Sequence, residues 1–563
     1  MNLAKLGLGA LNAAQYKLKT SAHNINNAAV EGYNRQTVLT QSAGAQATGG
    51  GYVGRGVETV TVDRAYDNFI FRQLVAAKGQ GAALASFSNE IKQLDTLFAD
   101  RTVGISPAIE NFFKSVNAVA SAPADPAARE EMLGQANNLA SQIRGTNEYL
   151  TNQRGNINTQ VTTVVEQINS YVERIRDANN QIVKARASAS QHEPNDLLDQ
   201  RDQLLNELNE LVGVTVFEQD GRFNLAIGNG QMLLGGDTVY PLRAQPSADD
   251  PQRTVVAFTT KNASGENVGI ELDESYIRGG KLGGLIQYRQ EVLDDVQNNL
   301  GRMAVGLAEA FNQVHSEGFD QLGDAAQDFF SFAQPKPIPS TADPANALAV
   351  TTTITDAKAL TADDYRVTVR RDATGAFEGY TITNLTTKAE VNVAQGAATH
   401  VVDGIEFSFD AARTPGATDT WLVQPTRQAA ASLKVEITDP AKIAAAGGDG
   451  GTPSASKGES NGDVALKLAQ LQYGKTLGGG SMSITEAFGQ IVNRVGVMSQ
   501  QNLTAGKAQE SLIQQTYAAH QEISGVNLNE EYVNIQQYLE QFRAASKLVE
   551  VSGNMFDTLL GMR

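Results

Sequence analysis

The chain has 563 residues, enough for several domains, with 41% hydrophobic residues, 6% aromatics, a single Trp and no Cys. The absence of cysteine excludes a disulfide framework, thiol catalysis and thiolate metal sites. A net charge of −17 with no basic run argues against nucleic acid, and no stretch approaches the about 18 apolar residues that suggest a membrane span.

Leu8, Leu11, Leu18, Ala22, Ile25 and Ala29 are spaced by threes, fours or their sums, which predicts an amphipathic helix over about 3–29. The opening residues hold one early cation, two glycines and Asn12, a poor signal peptide, so this end is expected in the mature protein. Gly32 reads as a C-cap or turn residue. A Gly/Ala/Ser/Thr-rich loop is expected at 42–51, then a strand-like stretch through Val53, Val57, Val60 and Val62.

From 65 to 212 the pattern is helical. Ser106-Pro107 and Asp125-Pro126 each read as a capping side chain before a first-turn proline. The row Ile157, Val161, Val164, Ile168, Tyr171, Ile175, Ala178 and Ile182 predicts a helix of roughly 35 residues, about 50 Å long, which suits an elongated bundle. Pro194 opens another helix, with Leu197, Leu198, Leu204, Leu205, Leu208 and Leu211 on its apolar side.

At Gly213 the period changes to that of strands, with turns at Asp220-Gly221 and Asn229-Gly230. Gly279-Gly280 and Gly283-Gly284 then punctuate a return to helix, expected from Leu285 to about His315. A Pro-rich linker, Pro335 to Pro344, leads to a second β module with strands at Tyr365–Val369, Tyr380–Ile382 and Ile405–Phe409. Asp403-Gly404 is its turn, and Trp421 reads as a core filler in its final strand. A Gly/Ser linker over 447–462 precedes helices at about 463–473 and 483–521, and Ser524 to Asn527 form a polar break. In the last helix Ile535, Phe542, Val549 and Phe556 recur every seven residues, with Tyr538, Ala545, Ser552 and Leu559 interleaved.

The expected fold is mainly α with β insertions: terminal helices pairing as a coiled coil, a long helical bundle, and two inserted β-rich modules. The expected division is 1–64 with 522–563 as a terminal assembly domain, and 65–212 with 285–334 and 463–521 as the bundle. Residues 213–284 form the first β module and 335–462 the second with its linkers.

An isolated helix of this length is marginal in water, so each terminal stripe needs the other end or another copy of the chain. An ordinary intramolecular bundle is one reading. The long chain between the ends and the small residues Ala22, Ala29, Ala545, Ser552 and Gly553 favour subunits crowded around an axis. Residues 1–35 carry four cations against one acid, and 520–563 six acids against three cations, which favours pairing without setting an orientation.

No catalytic, cofactor or metal set emerges, and an enzyme is not expected. His23, His192, His315, His400 and His520 are dispersed. Gly49, Gly51 and Gly54 fit G-x-G-x-x-G, but no strand is expected before them and no helix after. The three acids of Asp320–Asp328 miss the calcium-loop spacing. Asp294-Asp295 and Glu530-Glu531 read as solvated helix faces or first-turn acids.

Asn24 to Gln36 resembles the N-terminal signature of the bacterial flagellar rod, hook and hook-associated proteins, whose usual form is N-x-x-N-x-x-T-P-G-Y. Asn24, Asn27, Gly32, Tyr33, Arg35 and Gln36 carry the likeness, while Val30-Glu31 replaces Thr-Pro. Gly54 to Val57 with Asp63-Arg64, and Ser524 to Glu531 through Asp557 to Leu560, are similar to the same family. Asn195 to Asp202 is most like its hook–filament junction branch. The resemblance implies a structural, self-associating subunit of the bacterial flagellum, exported unfolded by the type III apparatus without signal cleavage. It further implies terminal helices as an inner tube, central helices as a shell, and β modules pointing outward. Its implied partners are hook protein, the second junction protein, an export chaperone on the C-terminal helix, and the filament cap during growth. On this reading Leu8, Leu11, Leu18, Ala22, Ile25, Ile535, Phe542, Val549, Phe556 and Leu559 pack subunits, and Tyr33 and Arg35 fix the turn. Another axial protein of the flagellum, or a secreted adhesin or glycan-binding protein, are the alternatives.

Overall fold

The computed structural model describes residues 3–99, 104–188, 192–261, 265, 267–340, 348–410, 412–413, 415–416, 418–451 and 455–562. Helix α1 (Leu3–Asn27) ends in a turn whose Gly32 has φ 81°, a conformation that glycine adopts without strain. Strand β1 (Gln36–Ser42) then pairs antiparallel with β4 (Val57–Arg64), from Gln36↔Arg64 to Ser42↔Val57, with a bulge at Leu39/Thr40. The segment expected as a loop at 42–51 instead starts a hairpin of β2 (Ala45–Thr48) and β3 (Gly51–Gly54), in register from Ala45↔Gly54 to Thr48↔Gly51. The two-residue turn Gly49-Gly50 closes it, and its exposed small residues left no apolar alternation to read.

Four helices follow: α2 (Asn68–Ala99), α3 (Ile105–Ser121), α4 (Pro126–Ser188) and α5 (Asn195–Leu211). Asp125 caps α4 as expected, its Oδ1 accepting from the Ala127 N–H at 3.0 Å. Ser106 does not cap α3, because that helix begins at Ile105, two residues before Pro107, with Gly104 as its N-cap. Helix α4 is 63 residues long, not 35, and spans roughly 95 Å. Met132, Ala136, Leu139, Ile143 and Leu150 continue the buried row upstream of Ile157, through a stretch whose Asn and Gln residues masked the period.

The first β module contains an antiparallel sheet of β5 (Val214–Gln219), β6 (Arg222–Ile227), β7 (Gln231–Gly235) and β8 (Thr238–Val239), in that order. Asp220 and Gly221 both take positive φ, as a type I′ hairpin turn needs. A second sheet orders β11 (Asn267–Glu271), β10 (Thr254–Lys261) and β9 (Leu242–Pro246).

Helix resumes at Gly280 rather than Leu285, as α6 (Gly280–Tyr288), and passes through a π turn at Arg289–Leu293 into α7 (Asp294–His315). Gly283 and Gly284 therefore lie inside a helix. Their role is approach: a Cβ on Gly284 would stand 2.2 Å from the Ala83 carbonyl oxygen of α2.

Past β12 (Phe330–Ser331), the second β module stacks a five-stranded sheet on a three-stranded one. The larger orders β13 (Ile338–Pro339), β20 (Thr420–Val423), β15 (Tyr365–Arg371), β16 (Phe377–Asn384) and β17 (Glu390–Ala394). The smaller orders β14 (Val350–Ile354), β19 (Ile405–Phe409) and β18 (Thr399–Val402). Its core holds Trp421, Tyr365 and Phe407, joined by Val305 of α7. Residues 341–344 of the expected Pro-rich linker and 452–454 of the Gly/Ser linker lie outside the described residues.

The chain returns through α8 (Ala429–Ser432), β21 (Lys434–Val435), which pairs with β12, and α9 (Asp463–Gln470) to α10 (Ile484–Ser524) and α11 (Leu528–Gly561). A reciprocal Ser483–Glu486 capping box starts α10, and Asn527 caps α11. Helices α2 to α7, α9 and α10 share one core with the first β module. Among the described residues, no helix is long and apolar enough to cross a membrane.

Candidate assembly site where the chain ends meet

Helix α1 packs against α11 on one side and against β1 and β4 on another. The two helices run antiparallel. Gly7 faces Ala545 and Val549, Lys17 Nζ lies 5.5 Å from the Tyr538 ring centre, and Asn24 reaches Glu531. The approach is close, since a Cβ on Gly7 would sit 2.8 Å from Val549 Cγ2. The buried residues of α1 are Gly7, Ala13, Ala14, Ser21 and Asn24, all small or polar.

This seam differs from the leucine row that the sequence singles out. At 100° per residue, Leu11, Leu18 and Ile25 flank the seam and are half-buried, whereas Leu8 and Ala22 lie further round and are exposed. Two helix axes come near only where side chains are short, so the glycine–alanine row takes the seam. On α11 the heptad does face α1: Ile535, Tyr538, Phe542, Val549 and Ser552 are half-buried, and Ala545 is 2% exposed. Phe556 is 62% exposed. The Leu559 side chain lies outside the described residues.

The residues of the N-terminal motif converge where α1 ends. Asn24 is the centre. Its Nδ2 donates to the Gln36 carbonyl oxygen (2.9 Å) and to Glu531 Oε1 (3.2 Å), and its Oδ1 accepts from the Gln36 N–H (2.9 Å) and the Tyr33 hydroxyl (2.7 Å). Arg35 donates through Nε to Glu531 (2.9 Å) and through Nη2 to Glu530 (2.6 Å), and its backbone N–H donates to the Ser524 carbonyl oxygen (2.8 Å). Gln36 Nε2 donates to Asp196 Oδ1 at 2.7 Å. Asn27 Nδ2 turns back to the His23 carbonyl oxygen, and His23 lies 3.2 Å from Asp196.

The other half of this network pairs residues whose contact the sequence does not announce. Asp199 accepts from the Asn34 backbone N–H (2.9 Å), from Asn34 Nδ2 (2.6 Å) and from Arg64 Nη1 (2.8 Å), and Asp202 accepts from Arg64 at 2.8 Å. Arg64 also covers the Tyr66 ring, 3.9 Å from its centre. These acids lie in the stretch that carries the likeness to the junction branch, so the N-terminal and central signatures are halves of one contact. Glu531 does lie in the first turn of α11, but it is no solvated face, since its side chain is 2% exposed.

The electrostatics match burial opposed by partners. Burial works against the charges of Arg35 and Arg64, and their carboxylate neighbours outweigh it, holding both guanidiniums above their usual range. Burial pushes Asp199 and Asp202 up against the pull of Asn34 and Arg64. It also raises the Tyr33 hydroxyl, and Asp196, Asp199 and Glu531 add to that. Buried hydrogen bonds to charged groups contribute about 1.5–3 kcal/mol each, and orphaning one costs a similar amount, so this network fixes angles strictly. It joins α1, the β1–β4 ribbon, α5 and α11 at one point.

The chain resembles known proteins along its whole length. The family model described as the flagellar hook-associated protein FlgK helical domain matches residues 91–330, and that described as the flagellar basal body rod FlgEFG protein C-terminal matches 517–562. Flagellar hook-associated protein 1 of Escherichia coli (strain K12) is 34% identical over 100% of both chains, and so is that of Salmonella typhimurium. The structure of the flagellar hook junction protein FlgK from Burkholderia pseudomallei matches with a TM-score of 0.71 and 26% identity, covering 80% of this chain and 100% of that one. With identity at this level running through both chain ends, the bundle and the β modules, the chain belongs to the flagellar hook-associated protein 1 family.

Proposed function

We propose that this chain is a structural subunit of the bacterial flagellum that joins hook to filament. It self-associates around the flagellar axis through its paired terminal helices and catalyses no reaction. The observation that carries the reading is an antiparallel helix pair, pinned at one end by the polar network, whose outer faces stay greasy. Leu3, Leu8 and Tyr16 on α1 and Leu548, Val551, Met555, Phe556 and Leu560 on α11 are exposed. Apolar surface on this scale marks an interface. The relatives' names, hook-associated protein and hook junction protein, support the same reading.

The finer parts belong to the same proposal. Residues 1–64 with 522–563 assemble, 65–212 with 285–334 and 463–521 form the surrounding bundle, and 213–284 and 335–462 project. Leu8, Leu11, Leu18, Ala22, Ile25, Phe556 and Leu559 pack neighbouring copies, and Ile535, Phe542 and Val549, turned towards α1, hold together the helix pair that those copies pack with. Export runs through the flagellar type III apparatus without cleavage, with a chaperone on α11 beforehand. Outside the cell the subunit meets hook protein on one side and the second junction protein on the other, beneath the filament cap during growth.

Phe542→Asp tests this. The variant is expected to be a soluble monomer that cannot join the axis, leaving cells without attached filaments. Motile cells with normal filaments would overturn the proposal.

A further inference from the structure

A second polar cluster lies far from the chain ends, where both β modules meet the bundle. Arg427 lies in the turn between β20 and α8, where the chain leaves the second module. Its Nη2 donates to Asp364 Oδ2 at 2.8 Å, at the base of that module, and its Nε donates to Asn298 Oδ1 of α7 at 3.1 Å. Its Nη1 lies 3.8 Å from Asp250, in the first β module, and 3.8 Å from Asp294, at the start of α7. One guanidinium therefore faces carboxylates from three parts of the molecule.

The surroundings tie the same three parts together. Asn298 Nδ2 donates to Asp364 Oδ1 (3.1 Å) and to the Ala362 carbonyl oxygen (3.0 Å). Arg154 of α4 donates to Asp294 at 2.6 Å. Arg366 of β15 pairs with Asp249 of the first module. Burial works against the charge of Arg427, and Asp364, Asp294 and Asp250 together outweigh it. The backbone sets the position: a Cβ on Gly301 of α7 would lie 1.8 Å from the Thr426 carbonyl oxygen, so glycine there lets the departing turn press onto the helix. Apolar support across this boundary comes from Val305 and Ala429.

We propose that Arg427 is a latch that fixes the orientation of the second β module against the bundle and the first module, without being needed for that module's own fold. Three features carry this. The module has its own core built on Trp421, Tyr365 and Phe407, to which the bundle adds Val305. Its base is polar, and polar contacts between units permit relative motion unless something fixes them. Arg427 is the group that reaches all three units, and its planar fork does what a single ammonium cannot.

The absence of cysteine makes the test direct. Spin labels on Asn152→Cys in α4 and Thr387→Cys in the module, both exposed positions, report one distance across the boundary. In the full-length protein the expected distance distribution is narrow. It broadens to about double its width in Arg427→Met and Arg427→Lys, while Trp421, the single tryptophan, keeps its buried emission. Should Arg427→Met fail to fold, Arg427→Lys, which keeps the charge, decides alone. A distribution as narrow in a folded variant as in the native chain would overturn the latch. A red-shifted Trp421 emission would also overturn it, because Arg427 would then belong to the module's fold.

Discussion

His315 shows how a side chain that means nothing in the sequence becomes a structural fixture. It is fully buried at the end of α7, where its Nδ1–H donates to the Gln327 carbonyl oxygen and its Nε2 accepts from the Ala444 N–H, both at 2.8 Å. Only the neutral imidazole can make both bonds. Burial lowers its pKa from 6.5 to about 4. As pH falls between those values the unfolded chain takes a proton that the native state refuses, so stability declines through that window by up to about 3 kcal/mol. Urea titrations from about pH 7 to about pH 4 should show this slope. His315→Gln, which keeps an acceptor for the Ala444 amide, should be flatter by the same amount. No spacing in the sequence announced this pairing, since His315 and Ala444 are far apart along the chain. Asn24 differs: its type and its place in the motif were legible through the resemblance. Its partner Glu531 was not, because an acid in the first turn of a helix reads as solvated until a second helix end is laid over it.

At the level of elements, the long apolar periods gave the helices, and what they missed was governed by contacts. The seam between α1 and α11 lies on Gly7, Ala14 and Ser21, whereas a hydrophobic pattern points to leucines. Close approach selects against bulk, and no one-dimensional period reports how near a partner comes. Gly7→Val should therefore weaken the pair. Valine gains up to about 1 kcal/mol of helix propensity over glycine, but forcing its branched side chain against Val549 costs about 1–3 kcal/mol, and the second term wins. Thermal unfolding followed by far-UV circular dichroism, compared with Leu8→Ala on the exposed face, should separate the two, with only Gly7→Val lowering the early melting of the terminal helices. The β2–β3 hairpin was illegible for the opposite reason, since its residues apart from the half-buried Val53 are exposed and so carry no pattern. The reverse occurs at Gly283-Gly284, where glycines read as a break allow α6 to lie against α2.

For the whole molecule, the nested order of helices around two β insertions was readable from changes of period alone. How the parts are angled was not, because the two fixtures that set those angles, around Asn24 and around Arg427, each draw on segments far apart along the chain. The terminal pair touches the rest of the chain through its ribbon and that first fixture, so limited proteolysis of the monomer should remove α1 and α11 together. A middle comprising the bundle and both modules should persist. Simultaneous loss of all bands, or protection of both ends as long as α4, would contradict this.

Helix α4 carries one more consequence. Within its 63 residues it touches α3, α5, α7, α8 and strands of the first module, without a proline past its first residue. With no proline to hinge it between Ala127 and Ser188, the helix is one common spine, and a shift at either end is shared by the parts packed along it.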